Sequence, residues 1–539
     1  MKFVLPLVFL LVCCPIAIKA QSCLTQDDLS HLLARLESSP PPAFDKKLKE
    51  QLVKMALRQS ELLQQVVQKD QTKKSDKEKL NKTYEDNSAK LCQILKTNGW
   101  PTTPLVEEGG VRAAFEILKN AGTFELQRDL LPVIVAAIKK DPVQKREFAG
   151  LIDRLSMSAG RKQIFGTQAV SSGGFLVLYP VENEAKLDSL RALYDLEPMD
   201  EYKRTLERTY GKVLIKSRQP PTSQLSNELT ESLTKAIDAT QLGANEVDPD
   251  DVIKTETNLV SLNVSVFNSK LKTFVGSLTQ EDFRVQENGQ EQTVTYFAST
   301  DVPFDLVLLV DLSGSTNTKR DLIKQSTLRF IEAARPTDRL AIVTFSGTPH
   351  IISPLTLDRA QLKESVMKIE GVGGSNVWDA VKFALDEVVG PKSLERRRAV
   401  VLMSDGVDGA LMRIGSTNGS TTTFADLLEQ VRQTDTLIVP IYLDTEVVLG
   451  NPYEKQSYEN ARRTLKLLAD ESGGSYYRAS KISDLNGVYE QVINDLGKVY
   501  SLGYKPMNAT RDRSWRWVKV SIANRPDLVV RTRPGYYAQ

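Results

Sequence analysis

Histidine is nearly missing: His31 and His350 are the only two in 539 residues. A histidine-rich zinc centre is therefore excluded, and a Ser-His-Asp triad would have to use one of these two. His31 lies beside the apolar stripe Leu29, Leu32, Leu33 and Leu36, and His350 follows Pro349 near a strand end. Neither has a catalytic setting. Net charge is also scarce, at +2. Lys2 and Lys19 account for it, so the remainder is balanced, with no bulk charge to draw nucleic acid or an anionic membrane. No phosphate-cradling G-x-x-x-x-G-K-[ST] loop occurs, and no internal repeat or low-complexity tract is found.

Long apolar runs are absent beyond the first twenty residues, so no later segment is long enough to span a bilayer. The start, MKFVLPLVFLLVCCPIAIKAQS, has one early lysine, an apolar stretch and a small residue at Ala20. It reads as a signal peptide over 1–20, with an uncleaved anchor as the alternative. Export to the periplasm or the exterior is the expectation. Of four cysteines, Cys13 and Cys14 leave with that segment. Cys23 and Cys92 then form one disulfide in an oxidising compartment, or remain two thiols.

At this length more than one domain is expected. Residues 24–212 read as helix-dominated, with apolar positions at three- and four-residue steps such as Leu48, Leu52 and Met55. Residues 213–255 read as a linker, rich in Pro, Ser and acids and holding at most one short helix. From 256 the texture changes to alternating strands, and Asn288-Gly289 marks a hairpin. Apolar strands near 305–310, 340–345, 399–403 and 437–443 then alternate with amphipathic helices. That pattern predicts a doubly wound α/β domain over 301–500. The tail, 501–539, returns to β.

The chemistry-bearing stretch is FDLVLLVDLSGST, 304–316. An apolar strand ends in Asp311, followed by Ser313 and Ser315 at alternate positions. A second strand, AVVLMSDG, ends at Asp405, and between them VGGSNVWDAV opens a helix just after Ser375. In open α/β sheets, ligands bind beyond the carboxyl ends of the strands. Five oxygen-bearing residues brought to one edge suit a hard cation such as Mg²⁺ or Mn²⁺. Helix capping explains one or two of them but not the set. A phosphatase-like D-x-D is not present, because Ser313 stands where its second acid would be, so a metal-dependent hydrolase is the weaker alternative.

Segment 304–500 resembles a von Willebrand factor type A domain, whose metal-ion-dependent adhesion site uses D-x-S-x-S, a later Thr, and an Asp before Gly. The resemblance implies metal ligands at Asp311, Ser313, Ser315, Ser375 (Ser where Thr is usual) and Asp405. It implies a non-catalytic binding or scaffold role, the binding being metal-dependent, with a protein partner offering a carboxylate. Segments 256–300 and 501–538 resemble the β lead-in and closing strands of the VWFA-related acidobacterial family, which implies a small β-sandwich built from both. The helical half resembles a bacterial domain family of unknown function through Asn87, NGWP and DRLSMSAGRKQIFGTQ. There, Arg154, Gln163, Thr167, Gln168 and Arg191 form either a polar pocket, with enzymatic or ligand-sensing chemistry as the alternative function, or a set of loop-fixing residues.

Overall fold

The computed structural model describes residues 8–9, 23–37, 42–68, 74–121, 124–141, 143–221, 227–239, 259–268, 273–313, 320–369, 373–390, 395–411, 419–444, 452–480, 484–511 and 514–538. The expected signal segment lies outside these, apart from Val8–Phe9, which pairs with Ala169–Val170. The chain divides into two units, Met1–Val252 and Ile253–Gln539.

In the first unit, long helices such as Lys46–Gln68, Lys74–Asn98, Thr103–Lys119, Phe124–Lys140 and Val143–Ser158 pack around one apolar core. Leu52, Leu91, Val106, Phe115, Leu130 and Phe148 lie in it, essentially without exposure. Cys23 and Cys92 are joined as a disulfide, with Cα atoms 6.3 Å apart. The unit also holds a small sheet in which Ala169–Ser172, Phe175–Leu178 and Leu214–Lys216 are neighbours.

The expected linker needs correcting at its start. Leu214–Lys216 is a strand, and the one short helix expected there, Asn227–Ala239, is present but buries Leu233, Ala236 and Ile237 in the helical core. Those three residues are spaced i, i+3, i+4, so one stripe faces inward. The remainder, from 240 to 258, lies outside the described residues.

The second unit holds an α/β domain, whose sheet is buried on both faces, and a β-sandwich with a core of its own. Its six-stranded sheet runs, from edge to edge, Thr348–Thr356, Arg339–Ser346, Phe304–Asp311, Arg397–Ser404, Leu437–Leu443 and Tyr477–Ala479. Only the first of these is antiparallel. Phe304–Asp311 is buried along its whole length, which explains the apolar run 306–310 within it. The strand order reverses between Phe304–Asp311 and Arg397–Ser404, making a topological switch point.

Beside it stands the β-sandwich. Val260–Asn268 lies between Leu528–Arg531 and Val499–Tyr504, which also pairs with Val294–Ala298. In the other sheet Trp515–Ile522 lies between Gly535–Tyr537 and Phe283–Glu287. Leu262, Val264 and Val266 alternate inward to meet Phe283, Val285 and Leu502. Asn288 (φ 49°) and Gly289 (φ 86°) both adopt the left-handed conformation that a two-residue hairpin requires. Buried Arg397 ties the α/β domain to the sandwich. It starts a strand of the α/β sheet and donates to Ser501 Oγ (2.8 Å) and the carbonyls of Val302 (3.1 Å) and Ser299 (2.5 Å).

Candidate functional site

Asp311 ends one strand at the switch point, and Ser404 and Asp405 end its neighbour. All three are buried, at 0, 0 and 2% exposure. Adjacent parallel strands in register carry their last residues to the same edge. Asp311 Oδ1 accepts the Ser313 amide hydrogen at 2.9 Å, an Asx-type turn that starts the loop. Asp311 Oδ2 accepts from Ser404 Oγ at 2.5 Å, and Ser375 Oγ reaches it at 3.5 Å, the outer limit of a hydrogen bond.

Four of the five residues singled out in sequence are described here: Asp311, Ser313, Ser375 and Asp405. Ser315 lies outside the described residues. Burial, and next the nearby Asp405 charge, push the Asp311 carboxyl up to about 6; its bonds to Ser404 and Ser313 oppose this. Two carboxylates buried near each other resist ionising together, and a cation would offset their repulsion. The donor atoms are carboxylate and hydroxyl oxygens, the type Mg²⁺ and Mn²⁺ prefer. The residues present therefore fit a divalent cation. Among the described residues, no three His, Cys, Asp or Glu side chains cluster, at this edge or elsewhere, so serine hydroxyls would have to complete the ligand set.

The Ser375 segment is held by specific backbone contacts. A Cβ on Gly373 would sit 2.1 Å from the Ser346 carbonyl oxygen, so only glycine allows the chain this close. The Gly409 amide donates to the Ser375 carbonyl at 2.8 Å. Fully buried Asp408 accepts from the Trp378 amide (3.1 Å), the Ala410 amide (2.9 Å) and the Ser420 amide (2.9 Å) and hydroxyl (2.6 Å). Burial raises the Asp408 carboxyl despite these bonds.

Ser404 and Asp408 were missed in the sequence. A serine closing an apolar strand carries no distinctive signal. Asp408 did carry one, since Asp408-Gly409 repeats the Asp405-Gly406 pattern three residues on.

In the helical unit, Gln163, Thr167, Gln168 and Arg191 meet around a buried loop. Asp153 accepts from the amides of Ile164 (2.7 Å), Phe165 (2.9 Å) and Thr167 (2.7 Å), and from the Thr167 hydroxyl (2.8 Å). Gln163 and Gln168 bond each other's segments, and Arg191 donates to the carbonyls of Phe165 (2.5 Å) and Glu197 (2.7 Å). Arg154 has different surroundings. Tyr84 and Glu116 act on it electrostatically, and burial lowers it to about 10. The geometry around Asp153 is that of a loop fixed by its own polar side chains.

Residues 306–407 match the von Willebrand factor type A domain, and residues 46–215 match a family of unknown function, DUF6624. A UPF0353 protein of Mycobacterium marinum is 22% identical over 211 residues, 36% of this chain and 60% of that protein. One from Mycolicibacterium paratuberculosis is 23% identical over 206 residues, 36% and 61% of the two chains. The chain thus spans about 60% of the length of these curated relatives.

Among solved structures, the conserved hypothetical protein BatB from Bacteroides thetaiotaomicron is 14% identical, covering 36% of this chain and 99% of that one, with a TM-score of 0.27. The vWF domain of the type V pili tip protein Mfa5 from Porphyromonas gingivalis is 16% identical (36% and 94% covered, TM-score 0.26). No helix among the described residues is long and apolar enough to cross a membrane.

Proposed function

We propose that the chain is an exported bacterial protein whose α/β domain binds a protein partner through a divalent cation. The cation, Mg²⁺ or Mn²⁺, is held by Asp311, Ser313, Ser315, Ser375 and Asp405, and a carboxylate of the partner completes its coordination. Once bound, the cation supplies an electrophilic centre for that carboxylate. The chain's own residues supply the rest. Ser404 orients Asp311, while Gly409 and Asp408 fix the segment that carries Ser375. The role is binding, not catalysis.

One observation carries this reading: among the described residues, the buried carboxylates Asp311 and Asp405 come with Ser313 and Ser375 to the carboxyl edge of a switch point. The signal-like start and the Cys23–Cys92 bridge support export.

The test is thermal unfolding in EDTA and then in Mg²⁺ or Mn²⁺, with Asp311→Ala alongside. A ligand at about 100 times its Kd stabilises the state that binds it by ~2.7 kcal/mol. The α/β transition should rise with metal in the wild type and stay fixed in the variant. Identical melting of both proteins at saturating metal would sink the proposal.

A further inference from the structure

A cleft of about 670 Å³ lies within the second unit, lined on one side by the end of helix Phe424–Gln433 and on the other by tail residues 506–511 and 536–538. Its volume is within the range of small-molecule sites. Among the described residues, Arg398, Arg511 and Arg533 line it together with Asp435.

Arg533 is the telling residue. It is 8% exposed, and its hydrogen bonds go to two backbone carbonyls, Thr434 at 3.2 Å and Ser261 at 2.9 Å. Its Nε has no hydrogen-bond partner, and it forms no ion pair with any described residue. Burial lowers its pKa, and the Asp435 charge offsets this only in part. Asp435 is itself paired with Arg398. Thr434 caps the helix, so the helix dipole faces Arg533, but it is equivalent to only about half a charge. The Tyr536 ring, 5.7 Å from the guanidinium, adds a cation–π contact but no formal charge, so this buried cation has no full counter-charge among the described residues.

The other walls have a different character. Tyr536 and Tyr537 line the cleft, but their hydroxyls are already committed to Glu287 and Glu429, at 2.8 and 2.7 Å. What they offer a ligand is ring surface, next to Leu259 and Val260.

We infer that this cleft binds a small organic anion, a carboxylate or phosphate on a planar or apolar body, with Arg533 as the partner of the charged group. Arg533 lines the cleft, and a planar guanidinium suits either anion. This site is independent of the cation proposed at Asp311.

Calorimetric titration of the full chain in EDTA tests it, with phenyl phosphate, benzoate, inorganic phosphate and neutral benzyl alcohol as probes. Phenyl phosphate or benzoate should bind and benzyl alcohol should not. Arg533→Gln should weaken binding roughly tenfold or more, the scale of a lost charge-assisted bond. Because Arg533 also ties Thr434 to Ser261, a second variant leaves it intact. Ala509→Trp, on the exposed rim, fills the cleft from outside and should abolish binding, while Asp311→Ala should leave it unchanged. The inference fails if neither organic anion binds at millimolar concentration, if benzyl alcohol binds as well as benzoate, or if either Arg533→Gln or Ala509→Trp keeps wild-type affinity. Inorganic phosphate binding as tightly as phenyl phosphate would also overturn it, because the tyrosine wall would then contribute nothing.

Discussion

Ser404 donates its hydroxyl hydrogen to Asp311 Oδ2 across 2.5 Å, joining the ends of the two strands between which the strand order reverses. Ser404 Oγ also accepts the Gly406 amide at 2.8 Å. One hydroxyl thus links both halves of the sheet to the loop that carries Asp405.

Ser404→Ala removes both bonds at a buried position. The expected loss is about 1–3 kcal/mol, because a buried carboxylate and an amide each lose a partner. Urea unfolding of the second unit reads this directly. An unchanged midpoint would mean that neither bond matters to the fold.

Gly373→Ala places a Cβ where the Ser346 carbonyl oxygen stands, 2.1 Å away. Backbone must move, and Ser375 moves with it. The expected result is a loss of ~1–3 kcal/mol and a smaller metal-induced rise in melting temperature than in the wild type. Metal titrations of both proteins by differential scanning calorimetry measure the two effects together.

Acid should act at the opposite end of the same strand. Burial alone would raise the Asp305 carboxyl. Bonds from Arg339 (2.8 and 2.5 Å) and Arg396 (2.6 Å) outweigh it, and the net shift is downward. A folded pKa below the unfolded value gives stability that is complete above about pH 3.9 and is lost as pH falls through the folded value. Asp305→Asn should therefore be less stable than the wild type near neutrality, with the gap closing in acid. Urea midpoints measured between about pH 6 and pH 2 provide the check, and a gap that is constant with pH would show that the ion pairs contribute nothing.

Cys92→Ser should destabilise the helical unit alone. The Cys23–Cys92 bridge closes a loop of 69 residues, for which a loss of ~2–4 kcal/mol is typical. Calorimetry should show one transition moved down and the other unmoved. Movement of both, or of neither, would contradict this.

Much of the second unit was legible because its signals are local. An acid ending an apolar run marks a strand end, as at Asp311 and Asp405, and Asn288-Gly289 requires a turn whatever surrounds it. Val260, Leu262, Val264 and Val266 alternate with polar residues, although Ser261 and Ser265 on the other face are buried too. Ser404 was not legible, since its role depends on a strand ninety-three residues earlier in sequence. The Leu214–Lys216 strand was hidden for a similar reason: three residues beside a Pro-rich stretch carry no period, and only pairing with Phe175–Leu178 defines them. In the helical half, sequence marked Gln163, Thr167, Gln168 and Arg191 as pocket or loop-fixing residues, and their bonds around the 163–168 loop follow the second reading, while Arg154 lies apart from them.

The sandwich is assembled from strands that precede and follow the α/β domain, and this sets where tension would travel. A pull entering at Leu259 passes along Val260–Asn268, which is paired directly with Leu528–Arg531 near the other end of the chain. Force can leave through those hydrogen bonds without crossing the six-stranded sheet. The α/β domain sits as a closed side loop between two sandwich strands, Val294–Ala298 and Val499–Tyr504, themselves paired at its neck. A partner held at Asp311 could thus be carried by a domain that is sheltered from the strain along the main chain.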